Sequence, residues 1–414
     1  KCSGVASGVD GKERVLVLCG PTCIGKSRIA NDFALDIGGE VVSCDSVQIF
    51  RGIPIGSGTL SMADMRGIPH HLVGTVPLGN PYNVDDFQRD ALVATRAIVE
   101  RGNVPIAVGG SAYYLRWYLG YKAGMETDPT VRASLEKELK RISWDDGVSR
   151  LAKLDPHYAS TLQRNDYNRL CRALEVVMRT GRPMHENVAK AAPPPFDFRV
   201  VSLQTRFRAD LYEAIDRRCE SIIKQGILDE VAQWLYRDED SFVRSVGTAV
   251  GYRQAIHFVA LLSVIHADLH LIRLQRNHFV PFVNAMKSAH RGLAKKQLTL
   301  LKKDANLNNY PICRVYVPAS EIGSDKVAGG IGRDTVAKIH EIMECSPDQY
   351  RSKAASMADW NDEGAPRTYI AKWHLLRSAK DRELFLLDFL RRNQKMLRKI
   401  RKGRSAEAVL RDGL

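Results

Sequence analysis

The chain has 414 residues, 44% of them hydrophobic and 26% charged. This suits a globular protein of two or three units at roughly 100–200 residues each, and it excludes collagen-like, mucin-like and wholly disordered chains. Lys and Arg number 61 against 47 Asp and Glu, a formal net charge of +14.

The charge is uneven. Residues 367–414 hold 14 basic and 5 acidic residues, a net of +9, which leaves +5 for the other 366. Residues 287–303 add six Lys or Arg and no acid. Clusters of this kind suit a polyanion, nucleic acid most simply; the plainer reading is a solvated helix face or a basic tail. The eight cysteines form no C-x-x-C pair, and several sit in apolar runs. Neither a disulfide framework nor zinc spacing is present, so a reducing compartment is expected. The expected compartment is the cytoplasm, with the mitochondrion as the alternative. The longest apolar stretch, 258–265, is far short of a membrane span, so no membrane role is expected. No signal peptide is visible; the chain begins at Lys1 rather than Met, which leaves room for a targeting segment ahead of it.

In chain order, residues 15–19 read as a buried strand, followed by a Gly-rich turn and a helix over about 26–36. Residues 40–44 read as a second strand, 87–101 as an amphipathic helix, and 104–108 as a third strand. This alternation predicts an α/β fold with a parallel sheet flanked by helices. Residues 122–190 carry helical patterns at 131–142, 147–154 and 168–179, and predict a helical insertion. The proline run at 193–195 marks the return, with a strand at 198–204 and one or two helices over 208–235. Residues 305–365 are weakly patterned. Residues 372–402 are helical in period. The expected units are a first catalytic part at 12–121, an insertion at 122–190, a second catalytic part at 191–304, the weakly patterned segment at 305–365 and a basic C-terminal helical extension at 366–414.

Gly20-Pro21-Thr22-Cys23-Ile24-Gly25-Lys26-Ser27 matches G-x-x-x-x-G-K-[ST] in full, between a predicted strand and a predicted helix. Glycines let backbone N–H groups curl inward onto phosphate oxygens, and the helix N-terminus favours negative charge. Lys26 adds a point charge, and the Ser27 hydroxyl can ligate a magnesium ion. A kinase would also want an acid at the end of another strand. The 104–108 strand ends instead in Gly109-Gly110-Ser111. Asp45, at the end of the second strand, is the nearest acid in topology. It reads as a general base or as the cap of the following turn. Ser46 and Gln48 read as groups for a base edge or as plain surface residues.

These blocks resemble the tRNA dimethylallyltransferase (isopentenyltransferase) family. The resemblance runs through the phosphate loop, Asp45-Ser46-Val47-Gln48-Ile49-Phe50-Arg51-Gly52, Gly67-Ile68-Pro69-His70-His71-Leu72 and Gly109-Gly110-Ser111-Ala112-Tyr113-Tyr114-Leu115. It continues at Asp155-Pro156, Asn165-Asp166-x-x-Arg169, Arg172-Ala173-Leu174-Glu175-Val176, Val250-Gly251-Tyr252-Arg253 and Arg291-x-x-Ala294-Lys295-Lys296-Gln297. The chain departs from the family pattern at Ser111, where Thr is usual, at Tyr167-Asn168, at His290, and at Ser57-Gly58-Thr59, which lacks a usual Lys.

The resemblance implies a P-loop NTPase-like fold. It implies transfer of the dimethylallyl group of dimethylallyl diphosphate to the exocyclic amine of the adenine 3′-adjacent to the tRNA anticodon, with loss of pyrophosphate. Gly20, Thr22, Cys23, Ile24, Gly25, Lys26 and Ser27 would hold the diphosphate, with Mg2+ on Ser27. Asp45 would take the amine proton, while Ser111 and Arg291 would serve the leaving group. Ser46 and Gln48 would read the extruded adenine, and Val47 between them would contact the tRNA. Arg132, Asn165, Asp166, Tyr167, Asn168, Arg169, Thr248, Gly251, Tyr252, Arg253, Lys295 and Lys296 would contact the anticodon stem-loop. A monomer is expected, and the 372–402 helix is expected to help hold RNA. Two other readings are an isopentenyltransferase acting on free adenine nucleotide and an RNA-binding P-loop ATPase.

Overall fold

Arg14–Cys19 (β1) is apolar at every position but the first, and all six residues are buried. A strand that apolar on both faces needs helices on both sides. The computed structural model describes residues 12–120, 128–187, 196–265, 271–303, 310–322, 333–357 and 369–402, and within them β1 lies in a six-stranded sheet. The other strands are Gly39–Ser43 (β2), His70–His71 (β3), Val104–Gly109 (β4), Asp197–Gln204 (β5) and Ile312–Tyr316 (β6). Their order is β3-β2-β4-β1-β5-β6, and every neighbouring pair is parallel. The α/β parallel sheet expected from the alternation is present.

In the first part, β1 is followed by Lys26–Ile37 (α1), and the chain from β2 to β3 carries the single turns Pro54–Ser57 (α2) and Met62–Met65 (α3). Val84–Glu100 (α4) starts on a reciprocal capping box between Asn83 and Asp86. Ala112–Tyr118 (α5) follows β4. Strand residues alternate between two cores. Leu16, Leu18, Ile106 and Val201 face α1 and the later helices, while Val15, Val17, Ala107 and Val200 face α4 and α5.

Residues 128–187 build a separate helical cluster. Pro129–Leu139 (α6), Trp144–Ala152 (α7), Pro156–Thr161 (α8) and Tyr167–Thr180 (α9) each begin on a capping side chain, from Asp128, Ser143, Asp155 and Asp166. Leu135, Leu139, Trp144, Leu151, Leu170 and Leu174 form its own small core. The Asp155-Pro156 turn continues as α8, because Pro suits the first helical position.

Beyond β5 run Arg208–Gln225 (α10), Ile227–Arg237 (α11), Glu239–Val246 (α12) and Tyr252–Ile265 (α13). Leu271–Leu274 (α14) passes through the π-helical stretch Gln275–Phe279 into Val280–Lys303 (α15). The weakly patterned segment supplies edge strand β6, Arg333–Glu344 (α16) and Pro347–Ser356 (α17). Strand β6 is short and α17 mostly polar, but α16 carries a helical apolar period at Val336, Ile339 and Met343 that the sequence reading did not use.

The last helix, Ala379–Lys402 (α18), begins seven residues later than its period suggested. The segment 369–378 ahead of it is not helical. Leu386, Phe389, Leu397 and Ile400 of α18 are buried in the main core against α11 and α13. The basic extension is thus packed onto the body of the protein. The 193–195 proline run and the basic residues at 367 and 403–414 lie outside the described residues. Among the described residues no helix is long and apolar enough to cross a membrane.

Candidate active site

The loop after β1 leaves the sheet where the chain diverges, toward β2 on one side and later β5 on the other. Ligands of open α/β sheets bind at such carboxyl ends. Gly25 precedes α1 with φ +100, and Cys23 holds φ +67, a conformation that a side chain rarely adopts. The loop is therefore shaped by its surroundings rather than by local preference. Lys26 Nζ donates to the Pro21 carbonyl at 2.7 Å. Burial pushes its ammonium down to about 8, while Cys23 and Asp45 pull it back up. Thr22 N donates to Gln297 Oε1 of α15 at 2.8 Å. Gly110 lets this contact form: a Cβ there would stand 2.6 Å from Gln297 Nε2.

A cavity of about 1300 Å³ opens over the strand ends. Thr22, Cys23, Gly25, Lys26 and Ser27 line one side, and Asp45, Gln48, Gly109 and Gly110 line the adjoining wall. Residues of the segment 54–66, Arg217 and Arg218 of α10, and Leu293 and Gln297 of α15 also line it, as do Asp32 and Asp36 of α1, Glu321, and Arg333 and His340 of α16. Cys44 N donates to the Val108 carbonyl at 2.8 Å, so Asp45 departs from the sheet level with the end of β4. Asp45 Oδ1 accepts from Val47 N at 2.8 Å and from Gln48 N at 3.3 Å. The carboxylate therefore caps its own turn, and Asp45 also lines the cavity.

Gln48 is anchored. It accepts from Ser43 Oγ at 2.8 Å and donates toward the carbonyls of Ser57 and Gly58, each at 3.4 Å. Ser46 is exposed and Val47 half-buried beside it. Glu230 of α11 accepts from Ile55 N and Gly56 N at 2.9 and 3.1 Å, and from the Tyr252 hydroxyl at 2.7 Å. That network fixes the 53–58 wall.

Several expected site residues stand elsewhere. Arg291 forms an ion pair with Asp216 of α10, and its guanidinium lies 5.2 Å from the centre of the Tyr369 ring. It does not line the cavity. A helix turns 100° per residue, so Leu293 and Gln297 face the cavity and Arg291 faces α10. Ser111 caps α5, with Oγ accepting from Tyr114 N at 3.4 Å, and is also outside the lining. Tyr252 is fully buried on Glu230 and the Ile53 carbonyl, so its side chain serves the wall and has no surface to offer RNA. Gly251 is buried against His290, while Thr248 and Arg253 are exposed. Lys295 and Lys296 are exposed on α15.

On the insertion, Arg132 pairs with Glu136 at 2.9 Å and reaches Asn168. Arg169 pairs with Asp166 at 3.2 Å, and Tyr167 packs edge-on against Trp144. Asn165 holds φ +66. Gln297 and Arg218 lie at the site without having been singled out. Gln297 sits within a recognised block, but nothing in the pattern at Arg218 distinguishes it from a solvated helix arginine.

A parallel sheet with a phosphate loop after its central strand, opening on a cavity that Asp45 also lines, is the frame of a P-loop enzyme that handles a diphosphate. A family model described as IPP transferase matches residues 48–304, and one described as isopentenyl transferase matches residues 13–76. The tRNA dimethylallyltransferase of Protochlamydia amoebophila is 36% identical over 300 residues, covering 71% of this chain and 82% of that protein. The one from Pelotomaculum thermopropionicum is 35% identical over 296 residues, covering 70% and 88%. A solved eukaryotic dimethylallyltransferase acting on tRNA superposes with a TM-score of 0.61 at 25% identity, covering 80% of this chain and 77% of its own. The chain belongs to the IPP transferase family of tRNA dimethylallyltransferases, and is a prenyltransferase.

Proposed function

We propose that the protein transfers the dimethylallyl group of dimethylallyl diphosphate to the exocyclic amine of the adenine 3′-adjacent to the tRNA anticodon. The observation that carries this reading is the single cavity in which the phosphate loop and Asp45 meet. The allylic C–O bond breaks, and its electron pair leaves on the diphosphate. The amine lone pair forms the new C–N bond. The proton shed by nitrogen passes to the Asp45 carboxylate, because an exocyclic amine is a weak nucleophile and gains from a positioned base. Loop N–H groups and Lys26 stabilise the charge that grows on the departing diphosphate.

Among the described residues no group of three His, Cys, Asp or Glu could cage a metal. An ion here would be held chiefly by substrate phosphates, with one protein hydroxyl. Ser27, at the start of α1 and on the cavity wall, would hold such an ion, magnesium in this reading. When bound, the ion supplies further neutralisation of the leaving group. Reaching the amine requires the adenine to be turned out of its loop into the cavity. The exposed residues Asn165, Tyr167, Asn168 and Arg169, with Thr248, Arg253, Lys295 and Lys296, are the groups offered to the RNA.

Incubation with radiolabelled dimethylallyl diphosphate and total tRNA, followed by nucleoside analysis, tests the reading. Label in a prenylated adenosine from tRNA supports it. Label on AMP with none on tRNA, or ATP turnover without prenyl transfer, refutes it.

A further inference from the structure

Two tyrosines in the first turn of α5 have opposite surroundings. Tyr114 is buried against Phe87, with ring centres 4.4 Å apart. Tyr113, one residue earlier, is 47% exposed. Its ring is nonetheless held. The Arg116 guanidinium, one turn on, lies over it at 4.8 Å from the ring centre, and Trp117 meets it edge-on at 6.2 Å. The result is a flat, backed aromatic surface that water still reaches.

That surface stands next to the cavity. Ser111 caps α5 where β4 ends, and Gly110 before it lines the cavity under Gln297. Burial, then the charge of Asp45, pushes the Tyr114 phenol up to about 12, so the first turn of α5 lies within electrostatic reach of the acid. In the other direction α5 leads toward the insertion, whose first helix begins at Pro129. The surroundings are basic. Gln297 of α15 meets Gly110, and Leu301 shares a core with Leu115 and Tyr118, so α15 runs beside α5. Next to that line Lys296, Leu300 and Lys303 are exposed at i, i+4 and i+7. Neither α5 nor residues 287–303 contain an acid, and Asp86 of α4, whose charge also reaches Tyr114, is paired with Arg89 at 3.0 Å. A ring with a guanidinium on it and lysines alongside suits an unpaired base and its phosphate.

We propose that the Tyr113 ring, backed by Arg116, is the platform on which a tRNA base neighbouring the extruded adenine stacks. This deepens the prenyl-transfer reading and rests on it. Turning the adenine out of its loop strips a stacking partner from the base beside it, and an aromatic ring at the rim of the cavity returns that contact. Tyr113 is thus a positioning residue: by holding the neighbour, it sets where the adenine enters relative to Asp45. Stacking tolerates any base, because every base has a flat face, so the platform adds affinity without reading sequence.

The test uses the full chain and anticodon stem-loops that carry 2-aminopurine, a base whose fluorescence dims on stacking, on the 5′ or the 3′ side of the target adenine. The wild-type chain should dim one of the two. Tyr113→Ala should raise the stem-loop Kd about 5- to 150-fold and relieve that dimming, with the melting temperature and the pyrophosphate Kd retained. Tyr113→Trp should keep both the affinity and the dimming. Tyr113→Leu, apolar but not flat, should behave as Tyr113→Ala does. Wild-type affinity in Tyr113→Ala overturns the proposal. So does dimming at neither position with the wild-type chain, recovery by Leu equal to that by Trp, or a loss of affinity matched by a fall in melting temperature. Transfer of labelled prenyl group to tRNA by the wild-type chain separates the two levels. No transfer defeats the prenyl-transfer reading, whereas transfer with a stem-loop affinity indifferent to Tyr113 defeats only this inference.

Discussion

Asp45 has a turn contact and a proposed base role that a single substitution can confuse. Its Oδ1 caps the Val47–Gln48 turn, so Asp45→Ala would disturb the wall as well as remove the base. Asp45→Asn keeps an acceptor of the same shape and loses only the proton acceptor. Its kcat should fall about 10²- to 10⁴-fold with tRNA affinity kept, and a fall of only a few fold would refute the base role. Lys26 is the second residue whose chemistry is open to measurement. Its ammonium is held down to about 8 by burial, and in the proposed cradle diphosphate binding needs the charged form. Affinity for pyrophosphate should therefore be level below that pH and fall as pH rises through it. Calorimetry from about pH 7 to about pH 9.5 reads this directly. Lys26→Arg, charged throughout, should show a flatter profile.

The element that departs furthest from its sequence pattern is the C-terminal one. Two carboxylates one turn apart on α10 seize the segment before α18. Asp216 accepts from Lys372 N at 2.8 Å and the Tyr369 hydroxyl at 3.1 Å, and Glu220 from His374 N and Leu376 N at 3.0 and 2.9 Å. Burial would raise Glu220, but Lys287 and these N–H groups outweigh it and hold the carboxyl below its usual range. Its contribution is thus full above that usual range and is lost as pH falls below it. Glu220→Gln leaves Lys287 buried without a counter-charge and should cost about 3 kcal/mol in urea unfolding. Adding Lys287→Met should return part of that loss, and no recovery would mean the pair is not the source.

Deleting residues 367–414 would strip Leu386, Phe389, Leu397 and Ile400 from the core, each worth roughly 2–5 kcal/mol on truncation, so deletion cannot isolate an RNA contact. Reversing the exposed Lys395 and Arg398 to Glu leaves the packing face intact. If this helix holds RNA, the slope of log affinity against log salt should flatten by about 0.7–0.9 for each phosphate that is no longer neutralised. An unchanged slope would show that the basic face of α18 is only solvated.

Across the whole molecule, what could be read in advance was what local chemistry dictates. The phosphate loop, its flanking strand and helix, the parallel sheet and the insertion helices follow from patterns within about fifteen residues of one another. Asp45 was legible because a strand end is a local feature with a global meaning. The structure places β6 and α17 where short, mixed segments gave little period to read, and α16 on an apolar period at Val336, Ile339 and Met343 that lay in the segment left unassigned.

The amino-acid sequence by itself determined the cradle at 20–27, the acid beside it and the family whose blocks the chain carries. Only the tertiary structure decided which arginine faces the cavity, which aromatic residue is buried in its wall and whether the basic C-terminus is a tail or a packed helix. Those outcomes turn on which side of a helix meets which neighbour. Arg218 and Arg291 are both helix arginines, and only the packing of α10 and α15 leaves one charge open to the cavity and cancels the other on Asp216.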